Sequence, residues 1–214
     1  MKVSAFVLAV VAQVASAHYF FDTNIINGNS QPSFKYVQTF TRATKYNPIK
    51  FSSNPAADIR DGSFADGPGL VYMSRAPGDN VKAYDGSGDW FKIFEEGVCT
   101  SSSDFTKKAW CTWGRNWIAA KVPKNTPNGE YLFRAEHIGV HRSHINQPEH
   151  YVSCVQIKVV NGGNGSPGPL VKFPGTYNAT DAYADFSIYG GHETFPFPGP
   201  AVWNGVSGGS RIRC

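Results

Sequence analysis

Beyond its first residues the chain alternates short apolar stretches with polar breaks, and this spacing predicts strands rather than helices. Leu70-Val71-Tyr72-Met73 and Trp90-Phe91-Lys92-Ile93-Phe94 are strand-length runs, and the turn Asp85-Gly86-Ser87-Gly88 lies between them. Trp117 to Val122 reads as a further apolar strand. After the turn Asn125-Thr126-Pro127-Asn128-Gly129, the positions Tyr131, Phe133, Ala135, His137, Gly139 and His141 fall on one face of a strand. Tyr151 to Val160 alternates again, and Arg142 to His150 is the polar loop between the two. Upstream, His18 to Thr44 predicts an N-terminal strand and a loop, broken at Asn27-Gly28-Asn29-Ser30, with Phe34 to Phe40 as a second strand. Ser52 to Gly69 holds no strand-length apolar run. Asn161 to Pro169 is linker-like but too short to mark a domain boundary, and the tail from Tyr177 to Trp203 is expected to wrap the core without forming strands.

The first residues follow a different pattern. Lys2 precedes an apolar run from Val3 to Val14, which ends at Ala15-Ser16-Ala17. A charged start, a short apolar stretch and small residues at the cut make a secretory leader over residues 1–17. The run is too short to cross a bilayer, so the mature protein, residues 18–214, is expected to be extracellular, with no membrane partner. It is one domain's worth of chain. With 22 glycines, 14 prolines and 14% aromatic residues, composition agrees with a turn-rich, all-β chain. The net charge of +4 comes without a dense basic run, which argues against nucleic acid as a partner. Four cysteines in an oxidising compartment permit two disulfides. Cys99 and Cys111 bracket a polar loop, and a bridge closing it would contribute about 3 kcal/mol. Asn164-Gly165-Ser166 and Asn178-Ala179-Thr180 are glycosylation sequons.

Cleavage after Ala17 makes His18 chemically distinctive. Its free amine and its imidazole offer two nitrogens from one residue, a pairing that suits copper. His137-x3-His141-x2-His144 would share a helix face, but the local pattern is strand and no glutamate follows His137, so a zinc-protease reading fails. Paired carboxylates of a hydrolase cannot be singled out among 16 acidic residues without spatial proximity.

Several motifs together resemble one family. They are His18 after the leader, Gly67-Pro68-Gly69-Leu70-Val71-Tyr72-Met73, Asp85-Gly86-Ser87-Gly88-Asp89-Trp90-Phe91-Lys92-Ile93, Arg134-Ala135-Glu136-His137-Ile138-Gly139-Val140-His141, Glu149-His150-Tyr151-Val152-Ser153-Cys154 and Pro198-Gly199-Pro200-Ala201-Val202-Trp203. These resemble the fungal lytic polysaccharide monooxygenases of auxiliary-activity family nine, formerly glycoside hydrolase family sixty-one, along nearly the whole mature chain.

The resemblance implies an immunoglobulin-like antiparallel β-sandwich with long loops, monomeric, docking by a flat face on cellulose or a related β-glucan. It implies one copper ion, an external electron donor, and oxidative cleavage by hydrogen abstraction at C1 or C4 of a glucose unit. Carried over by motif, His18 supplies the amine and one imidazole, Tyr151 the axial hydroxyl, and His141 the histidine beside the reacting oxygen. Glu149 stands where the family usually has glutamine. A carboxylate accepts hydrogen bonds but donates none, and its charge favours Cu(II) over Cu(I). Phe195 lies where the family often presents a tyrosine to the sugar.

One place departs from the pattern. The second copper-binding histidine of the family precedes the Gly-Pro by one or two residues, where this chain has Ala65 and Asp66. The cysteine that the family pairs with the one at Cys154, and an apolar strand, are missing from the same region. One deletion between about Arg60 and Asp66 accounts for all three, arising either from a gene model that omits a segment or from a degenerate paralogue. His144, His150 and His192 are candidate replacements for the lost imidazole, and Cys214 a candidate partner for Cys154. The alternative function is a secreted polysaccharide-binding β-sandwich without catalysis.

Overall fold

Leu70, Val71, Tyr72 and Met73 are successive residues with 0% exposure, so the strand that carries them is covered on both faces. A strand buried on both sides has no polar face, which is why this segment reads as a continuous apolar run. In the computed structural model, which describes residues 25–26, 29–30, 32, 64–100 and 104–206, six strands appear. They are β1 (Ile25–Ile26), β2 (Asn29–Ser30), β3 (Gly69–Arg75), β4 (Phe91–Glu96), β5 (Gly129–Gly139) and β6 (Glu149–Val159). There is no α-helix among the described residues. The leader, His18, the strand expected at Phe34 to Phe40 and Cys214 lie outside them.

β1 and β2 form a small antiparallel pair, so Asn29-Ser30 of the expected polar break is strand. The other four strands make one antiparallel sheet in the order β4-β3-β5-β6. β3 and β5 therefore sit inside, and β5 pairs with β6 over its full length, from Gly129 opposite Val159 to Gly139 opposite Glu149. The strand expected from Tyr131 onward is present, but it ends at Gly139 and His141 lies just past it.

Each face of the sheet has its own core. On one, Leu70, Tyr72, Leu132, Ile138 and Cys154 meet the tail residues Tyr183, Phe186, Ile188 and Phe195. On the other, Val71, Met73, Phe91, Ile93 and Tyr131 meet Trp203. Each fully buried aliphatic side chain contributes about 1.5–3 kcal/mol. The tail forms no strand, as expected, and it is strapped down at named points. Trp90 and Val171 exchange backbone bonds, the Trp203 N–H donates to the Lys92 carbonyl, and the buried Lys92 ammonium reaches the Pro198 carbonyl at 2.6 Å and Glu95 at 2.8 Å.

Trp117 to Val122 corrects an expectation, because it forms no strand. Ile118, Ala120 and Val122 do pack against the second core, so the alternation reports burial of one side of an extended segment. Strand pairing also needs a free backbone edge alongside, and alternation carries no information about that. The Cys99–Cys111 disulfide is formed as expected. Cys154 is a free, buried thiol on β6 opposite Arg134, and burial pushes it up to about 11.

Candidate functional site

The segment before β3 is held against the end of β5 by backbone bonds. Ile138 N–H donates to the Pro68 carbonyl at 3.1 Å, and Val140 N–H donates to the Asp66 carbonyl at 3.0 Å. Gly67 makes this approach possible. Its φ is +145°, and a Cβ there would stand 1.8 Å from the Ile138 carbonyl oxygen, so only glycine fits.

Period-two geometry does the rest. Glu149 and Tyr151, two apart on β6, share a face, and they stand opposite Gly139 and His137 on β5. The Tyr151 hydroxyl donates to Glu149 Oε2 at 2.8 Å. His141 Nε2 lies 3.8 Å from the same oxygen, and its side chain keeps 33% exposure while Glu149 and Tyr151 are buried. The structure thus brings together three of the expected site residues, His141, Glu149 and Tyr151. Burial, then the Glu149 charge and the hydrogen bond to it, hold the Tyr151 phenol far above its ordinary range, so it stays a neutral hydroxyl.

Two residues join them that sequence reasoning did not place in the site. His137 is fully buried, with its ring stacked on Phe64 at 4.7 Å, and burial lowers it to about 3, so it is neutral. Asp66 is 7% exposed, and its Oδ2 is buried with no hydrogen-bond partner. Burial, with the Glu149 charge adding to it and backbone N–H groups opposing, pushes its carboxyl up to about 7. The one available signal was its place directly before Gly67-Pro68. Among the described residues, no three His, Cys, Asp or Glu side chains converge closely enough to hold a metal by themselves.

Phe195 requires a correction. It is 7% exposed, with its ring edge-on to Trp110 at 5.2 Å, Phe186 at 5.2 Å and Phe197 at 5.6 Å. The ring belongs to the core and offers no stacking face to a sugar. Nor do the candidate replacement histidines join the site. His150 lies on the opposite face, its Nδ1 on Glu136 at 2.8 Å and its Nε2 near the Tyr183 hydroxyl at 3.3 Å. His192 packs against the Phe186 ring at 4.6 Å. His144, in the 3-10 turn Ser143–Ile145, meets the edge of Tyr189 at 5.2 Å.

Behind the site, on the opposite face, lies a second polar group. Glu136 is fully buried, paired with Arg134 at 3.2 Å and His150 at 2.8 Å, and accepts from the Tyr177 hydroxyl at 2.9 Å. Burial alone would raise its carboxyl, but the Arg134 charge and these bonds more than offset that and hold it at about 2.

An antiparallel β-protein with a neutral tyrosine, a carboxylate and an accessible imidazole at one end of its sheet has the frame of a lytic polysaccharide monooxygenase. The sequence model of Auxiliary Activity family 9 (formerly GH61) matches residues 49–195, and the chain belongs to that family, whose members are copper-dependent oxidoreductases. It is 45% identical to AA9 family lytic polysaccharide monooxygenase D of Aspergillus tamarii, over 97% of this chain and 88% of that one. A solved cellulose-active polysaccharide monooxygenase from M. thermophila superposes with a TM-score of 0.57 at 32% identity, covering 66% of this chain and 67% of that one. The solved structure CvAA9A, 23% identical with a TM-score of 0.63, matches over 88% of this chain and 98% of that one, and that likeness bears on the fold, an antiparallel β-sandwich as expected.

Proposed function

We propose that this chain is a secreted, single-domain monooxygenase that uses one copper ion and an external reductant to cleave cellulose or a related β-glucan oxidatively. The observation that carries the reading is the grouping of His141, Glu149 and Tyr151 around one carboxylate oxygen, at the end of the sheet that the Gly67-Pro68 segment closes.

The donor chemistry fits copper. Tyr151 offers a neutral hydroxyl oxygen, and a buried carboxylate oxygen of Asp66 stands without a hydrogen-bond partner. Oxygen and nitrogen donors in a tetragonal set suit Cu(II). The nitrogen pair is assigned to the amine and imidazole of His18, the residue that cleavage after Ala17 would leave at the N-terminus. Bound there, copper supplies the one-electron chemistry that activates oxygen or peroxide against a sugar C–H bond. Glu149 accepts from Tyr151 and so keeps that hydroxyl in one orientation. The partly exposed His141 imidazole is placed to hold or pass a proton at Nε2. With Phe195 in the core, the sugar contact is assigned to Tyr189, which is 64% exposed beside His144.

The aligned stretch of the Aspergillus tamarii relative runs over 244 residues against 214 in this chain, so that alignment holds positions with no counterpart here. We assign a missing internal segment to the stretch between about Arg60 and Asp66, where the second histidine, the cysteine and the apolar strand expected from the family are all lacking. The test is incubation of the correctly cleaved protein with cellulose and a reductant. Oxidised oligosaccharides that require reductant and vanish with a chelator are the expected result. Retention on cellulose without them would instead support the non-catalytic binding reading.

A further inference from the structure

Resting on the secreted reading above, we propose that Asn178 carries an N-linked glycan and that Asn164 does not. The chain has two sequons, Asn164-Gly165-Ser166 and Asn178-Ala179-Thr180. A chain in the secretory pathway meets the transferase that reads such triplets. Sugar is attached before folding is complete, so a usable sequon is one whose asparagine the finished fold leaves in solvent. Asn178, Ala179 and Thr180 are all exposed. Their turn is closed from both ends, since the Asn178 N–H donates to Asp181 Oδ2 at 2.9 Å and the Asp181 N–H donates to the Asn178 carbonyl at 3.1 Å. Just before it, the Tyr177 hydroxyl is tied to Glu136 at 2.9 Å, and within it the Ala179 carbonyl accepts from Asn146 Nδ2 at 2.5 Å. The backbone is thus fixed, while no hydrogen bond among the described residues uses the Asn178 side-chain amide.

Asn164 is exposed as well, so exposure does not separate the two. Their neighbours do. Ser166, the hydroxyl residue of that sequon, is followed by Pro167. Proline restricts the residue before it to extended backbone, which works against the turned conformation that brings a sequon hydroxyl to its asparagine. Asp181 after Thr180 imposes no such limit. In the folded chain the Gly163 N–H donates to the Thr126 carbonyl at 3.0 Å and the Gly165 N–H to the Asn125 carbonyl at 2.8 Å. Asn164 is therefore pinned between two close backbone contacts. At Asn178 the step is a group transfer without redox change. The side-chain nitrogen bonds to the anomeric carbon of an oligosaccharide carried on a lipid diphosphate. The bond from that carbon to the diphosphate breaks, and the amide gives up one proton as the lipid diphosphate leaves. The Asn146 contact sets the glycan beside the loop between β5 and β6.

The experiment expresses the full chain, leader included, in a eukaryotic secretory host and treats total protein from cells and medium with a peptide-N-glycosidase. That enzyme releases the glycan and leaves aspartate where the glycan-bearing asparagine stood. Gel mobility and peptide mass are read for the unaltered chain and for Asn178→Gln, Thr180→Ala, Thr180→Ser and Asn164→Gln. The expected result is a mobility shift with aspartate appearing at position 178 and not at 164. The shift should vanish in Asn178→Gln and Thr180→Ala and persist in Thr180→Ser and Asn164→Gln. Because attachment precedes folding, a variant that fails to fold still reports its occupancy from the cell fraction. A leader-cleaved chain with no glycan, or with one at Asn164, overturns the proposal while leaving the secreted reading in place. An unglycosylated chain that keeps its leader overturns both.

Discussion

Tyr151 and Glu149 lie two residues apart on one strand, and the hydroxyl of the first donates to the carboxylate of the second at 2.8 Å. The pair is local in sequence, yet its chemistry depends on burial that other segments provide. Tyr151→Phe removes the donor and leaves a buried carboxylate oxygen short of one bond. It should cost about 1–3 kcal/mol in urea unfolding of the metal-free protein. An unchanged midpoint would mean that Glu149 is neutral or solvated in the folded state.

Asp66 gives the metal-free protein a pH dependence whose sign follows from its raised carboxyl. The folded group titrates at about 7, against 3.8 in an open chain. Below about pH 4 both states hold the proton and the group's contribution is fully present. Between about pH 4 and about pH 7 the unfolded chain releases it first, so stability falls as pH rises, by up to about 1.4 kcal/mol per pH unit. With chelator present, Asp66→Asn should therefore be flatter than the unaltered protein across this window and more stable at about pH 8. Parallel curves for the two would show that Asp66 is not desolvated.

Glu136 works in the opposite direction. Its carboxyl is held at about 2, below its ordinary 4.5, so its contribution is present above the ordinary value and lost as pH falls toward about 2. Glu136→Gln leaves Arg134 charged and buried without its partner, and should destabilise the protein by about 3–5 kcal/mol in denaturant. A smaller loss, with fluorescence unchanged, would indicate that water reaches Arg134.

Tyr189 and Phe195 separate binding from packing. Tyr189→Ala removes an exposed ring and should lower retention on cellulose several-fold at an unchanged melting temperature. Phe195→Ala empties a core position and should cost about 3–5 kcal/mol of stability. Loss of retention in a Phe195→Ala protein that still melts normally would return that ring to the sugar-facing surface.

Four strands, the loop disulfide and the strand-free tail were legible in the sequence, because alternation and turn chemistry are local properties of the chain. His141, Glu149 and Tyr151 were legible as a group through their motifs, and two-residue spacing placed the last two on one face. The contacts at Trp117 to Val122, Phe195 and Asp66 were not. An apolar alternation at Trp117 to Val122 looks the same whether or not a strand edge lies beside it. An aromatic ring at position 195 serves a core or a surface equally well until the path of the tail is known. Asp66 is buried with an unpartnered oxygen only because the chain just past β5 is bonded to its backbone. The sequence by itself determined which residues are extended, which are apolar and which carry donor atoms. Tertiary structure decided which faces are covered and which buried charges lack a partner, because burial and pairing arise between segments far apart along the chain.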